Sequence, residues 1–266
     1  MDARLPDAFL KSVAHLLPVQ AQPGLMGGRP PIEHAVVLRV IWFVLTVGCR
    51  WKDVPTQMGC SGETARTRLK GWQEAGIWQQ IHHLFLRELK RRDRLNLDVA
   101  LIDSAQVRAF GGGDRSGPSP VDRRKPGTKY TVLVDAYGTP LAIQSAPANV
   151  SDHRQILSTV LRFPRIGGTP GRPRELPQTL YADAGYDSHH TRMVLHLLGI
   201  RPQIRKSQSL HGSRLGTVRW VVERTISWLK GLRRLRIRYD RNSTIIDAWE
   251  TLAMAAICFR ILNQLT

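Results

Sequence analysis

The chain has 266 residues, 42% of them hydrophobic, enough to bury a substantial core in one domain or two. Lysine and arginine number 39 against 21 aspartate and glutamate, a net charge of +18, which favours a polyanionic partner, nucleic acid ahead of a membrane surface. Cys49, Cys60 and Cys258 form no close pair, which argues for reduced thiols in the cell interior rather than a disulfide framework. The opening residues are mixed polar, unlike a signal peptide, and no apolar run reaches the ~20 residues a bilayer demands.

The first ninety-odd residues read as helices. Phe9, Leu10, Val13, Leu16 and Leu17 recur at helical spacing from Asp7 to Leu17, before Pro18. A run of backbone breakers follows, with Gly24, Gly27, Gly28, Pro30 and Pro31. Glu33 to Val47 is a strongly apolar helix closed by Gly48. Ser61 is placed to cap a helix over Glu63 to Glu74 that carries Arg66, Arg68 and Lys70, and Gly76 stops it. This arrangement is similar to a helix-turn-helix unit and makes those three cations candidate DNA contacts; a small helical bundle with a solvated basic face is the other reading.

Past Lys90, Arg91, Arg92 and Arg94 the period changes to two. Asp98 to Ser104 alternates Val99, Leu101 and Asp103 on one face with Ala100 and Ile102 on the other, a strand. Lys129 to Asp135 and Leu141 to Ala146 are two more strands, joined by the turn Ala136 to Pro140. The intervening Gly111 to Pro120 reads as a mobile surface loop, and the wider stretch Gly111 to Lys129, rich in Gly, Pro and Arg, as a segment able to order on DNA. A helix from about Ser151 to Leu161, a loop from Pro164 to Pro177, a short strand from Thr179 to Asp183 and a helix capped by Asp187 or Ser188 come next. Ile200 to Ile204 looks like another strand, a long helix begins near Val218, and Thr251 to Phe259 is a buried helix. Three strands, helix, strand, helix, strand and long helix is the order of an α/β domain with a mixed sheet of ribonuclease-H-like type. The predicted division is a helical domain over 1–95 and an α/β domain over 96–266.

Three acids stand out. Asp103 and Asp183 each lie where an apolar strand ends, and an ionised carboxylate there is costly unless a cation or strong donors compensate it. Glu223 lies in a helix with Arg219 and Lys230 near its own azimuth. Between Arg219 and Arg241 eight basic residues face two acids, and Arg219, Arg224, Lys230, Arg233 and Arg234 are placed to bind phosphates. Three carboxylates are able to hold two divalent cations with open positions, because Mg²⁺ prefers oxygen ligands and takes the remainder from a phosphate substrate. Alone, either aspartate reads equally well as a turn residue and the glutamate as a surface ion pair. Asp152 and His153 follow the third strand, which allows a place near the site, but a cap and a surface histidine are the favoured readings; for Trp220 and Trp228 core packing is favoured over base stacking.

The motifs, taken in order, resemble bacterial insertion-sequence transposases of the DDE type, specifically the insertion-sequence-five group. They are GRPP at Gly28 to Pro31, GCRWKDVP at Gly48 to Pro55, LIDSAQVRA at Leu101 to Ala109, KYTVLVDAYGTPLAIQSAPANVSDHR at Lys129 to Arg154, YADAGYDS at Tyr181 to Ser188, and RWVVERTISWLKGLRRLRIRYDR at Arg219 to Arg241. The resemblance implies Asp103, Asp183 and Glu223 as the catalytic and metal-binding acids, in that order, with Arg219 and Lys230 at the family's spaced basic positions. Gly216 stands where related families place a tyrosine. The resemblance also implies Mg²⁺ or Mn²⁺, cleavage at the element's terminal inverted repeats, strand transfer into target DNA, and a homodimer or higher assembly on DNA in the bacterial cytoplasm at the nucleoid. The 40 residues between Asp183 and Glu223 leave no room for a large β-rich insertion. A DNA-binding regulator without catalysis and a ribonuclease-H-type nuclease that cuts without joining are the competing functions.

Overall fold

The computed structural model describes residues 2–20, 30–169, 172–205 and 216–264. Gly24, Gly27, Gly28 and the first half of the GRPP motif fall outside the described residues.

The helical region opens with α1 (Asp7–Val13), which continues as a 3-10 turn at Ala14–Leu16 and buries Phe9 and Val13. Helix α2 (His34–Val47) ends at Gly48, whose φ of +77° is the left-handed stop that glycine adopts without steric cost. Gly48 has a second reason to lack a side chain: a Cβ there would meet Arg233 Cβ at 2.8 Å. Helix α3 (Gly62–Glu74) begins at the Ser61 cap, whose hydroxyl accepts the Thr64 N–H at 3.1 Å. Helix α4 (Ile77–Arg91), left undivided by the sequence reading, buries Ile77, Trp78, Ile81, Phe85, Leu86 and Leu89 at helical spacing.

The sheet begins with β1 (Val99–Ala109), a minor strand β2 (Gly117–Pro118), and the hairpin of β3 (Pro126–Asp135) and β4 (Pro140–Pro147). β1 is longer than expected because β3 pairs with it as far as Arg108. The hairpin turn is organised by Asp135, a buried carboxylate that accepts the N–H groups of Asn96, Tyr137 and Thr139; burial still pushes it up to about 6. The chain continues as α5 (Asp152–Val160), a side hairpin of β5 (Gly167–Thr169) and β6 (Arg172–Arg174), β7 (Thr179–Ala182), α6 (His189–Leu197) and β8 (Arg201–Ile204). Ser188, not Asp187, caps α6. The last elements are α7 (Gly216–Gly231), the single turn α8 (Arg233–Arg236), β9 (Ile237–Arg238) and α9 (Ser243–Asn263).

The main path across the sheet is β4-β3-β1-β7-β8, antiparallel through β3 and parallel from β1 to β8, with β2 added on β3 and β9 on β1. This is a mixed α/β sheet flanked by helices, as expected. Helix α5 packs on β3 and β4, and α7 on β1 and β3. Helix α9 lies between β4 and the helices α3 and α4, and every residue from Ala248 to Phe259 is buried. A helix covered on all sides has no polar face to spare, and from Ala248 to Phe259 only Glu250 and Thr251 interrupt an otherwise apolar run.

The segment Gly111 to Pro120 departs from the mobile loop expected. Arg115, at φ +54°, donates to both carboxylate oxygens of Asp247 at 2.6 and 2.9 Å and to the Ser145 hydroxyl at 3.0 Å. Asp114 accepts the Ser243 N–H at the start of α9, and Thr128 donates to the Arg115 carbonyl. The segment is tied to the core by polar contacts that no local pattern announces.

Candidate active site

The parallel pairing of β1 with β7 covers only Val99 to Leu101, so β1 runs past its neighbour and Asp103 stands at the opening. Asp103 Oδ1 accepts the N–H of Ser104 at 2.8 Å, which fixes the carboxylate against its own strand. Asp183 follows β7 directly and caps the 3-10 turn Ala184–Tyr186 by accepting the Ala184 N–H at 2.8 Å. Asp103, just past the parallel pairing of β1, and Asp183, just past the end of β7, are therefore neighbours, the arrangement in which an open α/β sheet presents side chains to a crevice. Glu223 comes from above, on α7.

One guanidinium joins all three. Arg219 Nη2 is 3.1 Å from Asp103 Oδ2 and 3.8 Å from Glu223 Oε1, and Nη1 is 3.3 Å from Asp183 Oδ1. Exposure rises from Asp103 (18%) through Asp183 (42%) to Glu223 (60%), so the cluster opens to solvent on the glutamate side. Burial is the largest influence on Asp103 and raises its carboxyl above the ordinary aspartate range; the Ser104 N–H and Arg219 oppose it, and the Asp183 charge adds to it. Among the described residues no three ligating side chains are already gathered for a metal. The donor set nevertheless fits a hard divalent cation: three carboxylates, no sulfur or imidazole, already sharing one positive group and open on one side.

The other cations read from sequence divide sharply. On α3, Arg66 pairs with Glu63 at 2.8 Å and Lys70 with Glu74 at 3.4 Å, and Arg68 is half-buried on the same helix. Lys230 and Arg233 are exposed. Arg224 is held between the rings of Trp220 and Trp228, 4.7 and 4.6 Å from their centroids, and bonds the Tyr137 carbonyl. Trp220 is half exposed rather than in the core as expected. Arg234 requires correction as a phosphate contact. It is buried, donates twice to Asp240 Oδ2 at 2.9 and 2.7 Å and once to the Cys49 carbonyl at 2.8 Å, and lies within 6 Å of the Trp51 and Trp249 ring centroids.

Sequence reasoning set one neighbour of the site aside. Asp152 is not the cap of α5, a place taken by Ser151; its carboxylate turns to Ser104 and Lys129. Its position after the third strand allowed a place near the site, but its position before a helix favoured a cap.

A family model described as transposase DDE domain matches residues 95–258, and one described as putative transposase of IS4/5 family matches residues 5–82. The chain is 45% identical over 153 residues to the putative transposase for insertion sequence element IS402 of Burkholderia cepacia, covering 58% of this chain and 72% of that protein. It is 42% identical over 100 residues to the insertion element IS402 uncharacterized 16.2 kDa protein of the same organism, covering 37% and 68%. Among solved structures, the Mos1 mariner paired end complex with Mn is similar at 11% identity and a TM-score of 0.27, covering 86% of this chain and 80% of that chain.

Proposed function

This chain belongs to the DDE transposases of the IS4/5 group, enzymes of insertion sequences, and we propose that it binds the terminal inverted repeats of its own element, cuts the DNA there and joins the freed ends to target DNA. Asp103, Asp183 and Glu223 are the catalytic acids of this reading. The observation that carries it is their convergence on the single cation of Arg219 from two adjacent strands and a facing helix.

The three carboxylates would hold Mg²⁺ or Mn²⁺, two ions in this reading. When bound, the divalent ions supply Lewis-acid activation of the attacking oxygen and stabilisation of the leaving one. The protein's own part is positional and electrostatic. Asp103 and Asp183 are locked by the N–H groups of Ser104 and Ala184, so their orientation needs no ordering at the moment of reaction. Arg219 neutralises the acids and is free to turn to a phosphate once another cation takes its place. Lys230 and Arg233, exposed beyond Glu223, extend the positive surface along the DNA backbone.

In the same reading residues 1–95 serve recognition of the element ends through Arg66, Arg68 and Lys70, and residues 96–266 serve chemistry. Two ends handled together call for a homodimer or a higher assembly on the DNA. The work is done at the nucleoid in the cytoplasm; among the described residues no helix is long and apolar enough to cross a membrane.

Purified protein incubated with the element's end sequences, a target plasmid and Mg²⁺ should yield junctions between the two. A shifted but uncut end would leave a DNA-binding regulator; cutting without junctions would leave a nuclease.

A further inference from the structure

Asp152 touches the surroundings of both aspartates of the site. Its Oδ1 accepts the Ser104 hydroxyl at 2.8 Å, and the backbone N–H of that same Ser104 donates to Asp103. Its Oδ2 lies where a Cβ on Gly185 would come within 3.4 Å, in the turn that Asp183 caps. Ser104 thus faces away from Asp103 on the pleated strand and is held on both sides of the sheet.

A charge so placed needs compensation. Lys129, on β3 and only 7% exposed along its side chain, donates to Asp152 Oδ1 at 2.9 Å and to the Val150 carbonyl at 2.8 Å. A buried ammonium without that partner would be costly, so the pair holds itself in place. Tyr186, buried and three residues past Asp183 in the same turn, has a buried hydroxyl without a hydrogen-bond partner.

We propose that Asp152, clamped by Lys129, is a positioning residue that sets the separation of Asp103 and Asp183, through the Ser104 hydroxyl on one side and the Ala184–Tyr186 turn on the other. The inference rests on the reading of those two aspartates as metal ligands. It differs from a role in folding: a strut between two ligands governs how well they share an ion, whereas a fold-stabilising pair governs only melting. Groups that orient ligands from behind typically change metal affinity ~10–100-fold when removed.

The test is calorimetric titration of Mn²⁺ into the full chain without DNA, with melting in EDTA measured in parallel, on wild type, Asp103→Asn, Ser104→Ala, Ser104→Thr and Asp152→Asn. Ser104→Ala and Asp152→Asn should each weaken Mn²⁺ binding about tenfold or more at unchanged stoichiometry, and Ser104→Thr, which keeps the hydroxyl, should restore it. Wild-type affinity in Ser104→Ala and Asp152→Asn, with altered melting alone, would overturn the inference. Loss of a full metal equivalent in Asp152→Asn with Ser104→Ala normal would also overturn it, by making Asp152 a ligand. Absence of any wild-type binding that Asp103→Asn removes would instead overturn the metal-site reading itself, and the inference with it.

Discussion

Arg219 reaches Asp103 across 116 positions of sequence, Nη2 to Oδ2 at 3.1 Å, and the same guanidinium serves Asp183 and Glu223. An arginine in this place has two opposed effects. It relieves repulsion among three acids, and it competes with any other cation for their oxygens.

Arg219→Gln should therefore lower stability in EDTA and raise divalent affinity. Charge-assisted bonds of this kind are worth roughly 1.5–3 kcal/mol each before screening, and the exposed Glu223 contact adds little, so a loss of about 2 kcal/mol is expected. Chemical denaturation in EDTA and Mn²⁺ calorimetry check the two halves. A variant that is destabilised and also binds Mn²⁺ more weakly contradicts the competition.

Adjacent arginines should behave as different residues. Arg234→Ala leaves the buried Asp240 without its cation, held only by the Trp51 and Trp249 N–H groups, and cuts the link from α8 to the Cys49 carbonyl, a loss of about 3–5 kcal/mol expected on breaking a buried pair. Arg233→Ala should melt close to wild type and weaken DNA binding with a shallower salt dependence. Melting curves and binding measured across salt concentrations separate the two. Equal melting of both variants contradicts the assignment.

These two positions also mark what was legible in the sequence. Arg233 and Arg234 are indistinguishable in a run of basic residues; only the approach of Trp51 and Trp249 from distant segments buries one of them. The three acids were readable because two lay along apolar runs and the third stood among cations, although Asp103 proves to lie within β1 rather than at its end, because the pairing with β3 carries the strand on to Ala109; the strand order followed from the change of period at Asp98. What stayed hidden depends on contacts between remote segments. Asp152 reads as a cap until Ser104 and Lys129 are brought to it, and Arg115 looks like part of a loose loop until Asp247 arrives on α9. Local spacing carries no trace of such pairs.

Glu250 provides a pH test away from the site. It is buried in α9 with both carboxylate oxygens lacking a hydrogen-bond partner, and burial pushes it up to about 7, offset only in part by Ser145 and the charges of Arg115 and Arg162. The unfolded glutamate loses its proton near its ordinary value of 4.5 while the folded one keeps it until about 7. Folded-state stability should consequently fall as pH rises from about 4.5 to 7 and level off above, by roughly 3 kcal/mol for this group. Glu250→Gln should flatten that slope and gain most above pH 7. Urea denaturation at pH 5 and pH 8 measures it, and an unchanged slope in the variant contradicts the account.

Activity should separate from binding at the acids themselves. Asp103→Asn, Asp183→Asn and Glu223→Gln should each reduce cutting of end DNA by several orders of magnitude while retaining the mobility shift. Near-normal cutting by any of the three removes that residue from the site.

Crystals grown without divalent ions and then soaked in Mn²⁺ offer the most direct measurement, because manganese is located by its anomalous scattering. The expected result is anomalous density bounded by Asp103, Asp183 and Glu223, with the Arg219 guanidinium turned away from Asp103. Anomalous density elsewhere only, with Arg219 still bonded to all three carboxylates, would contradict a shared divalent site.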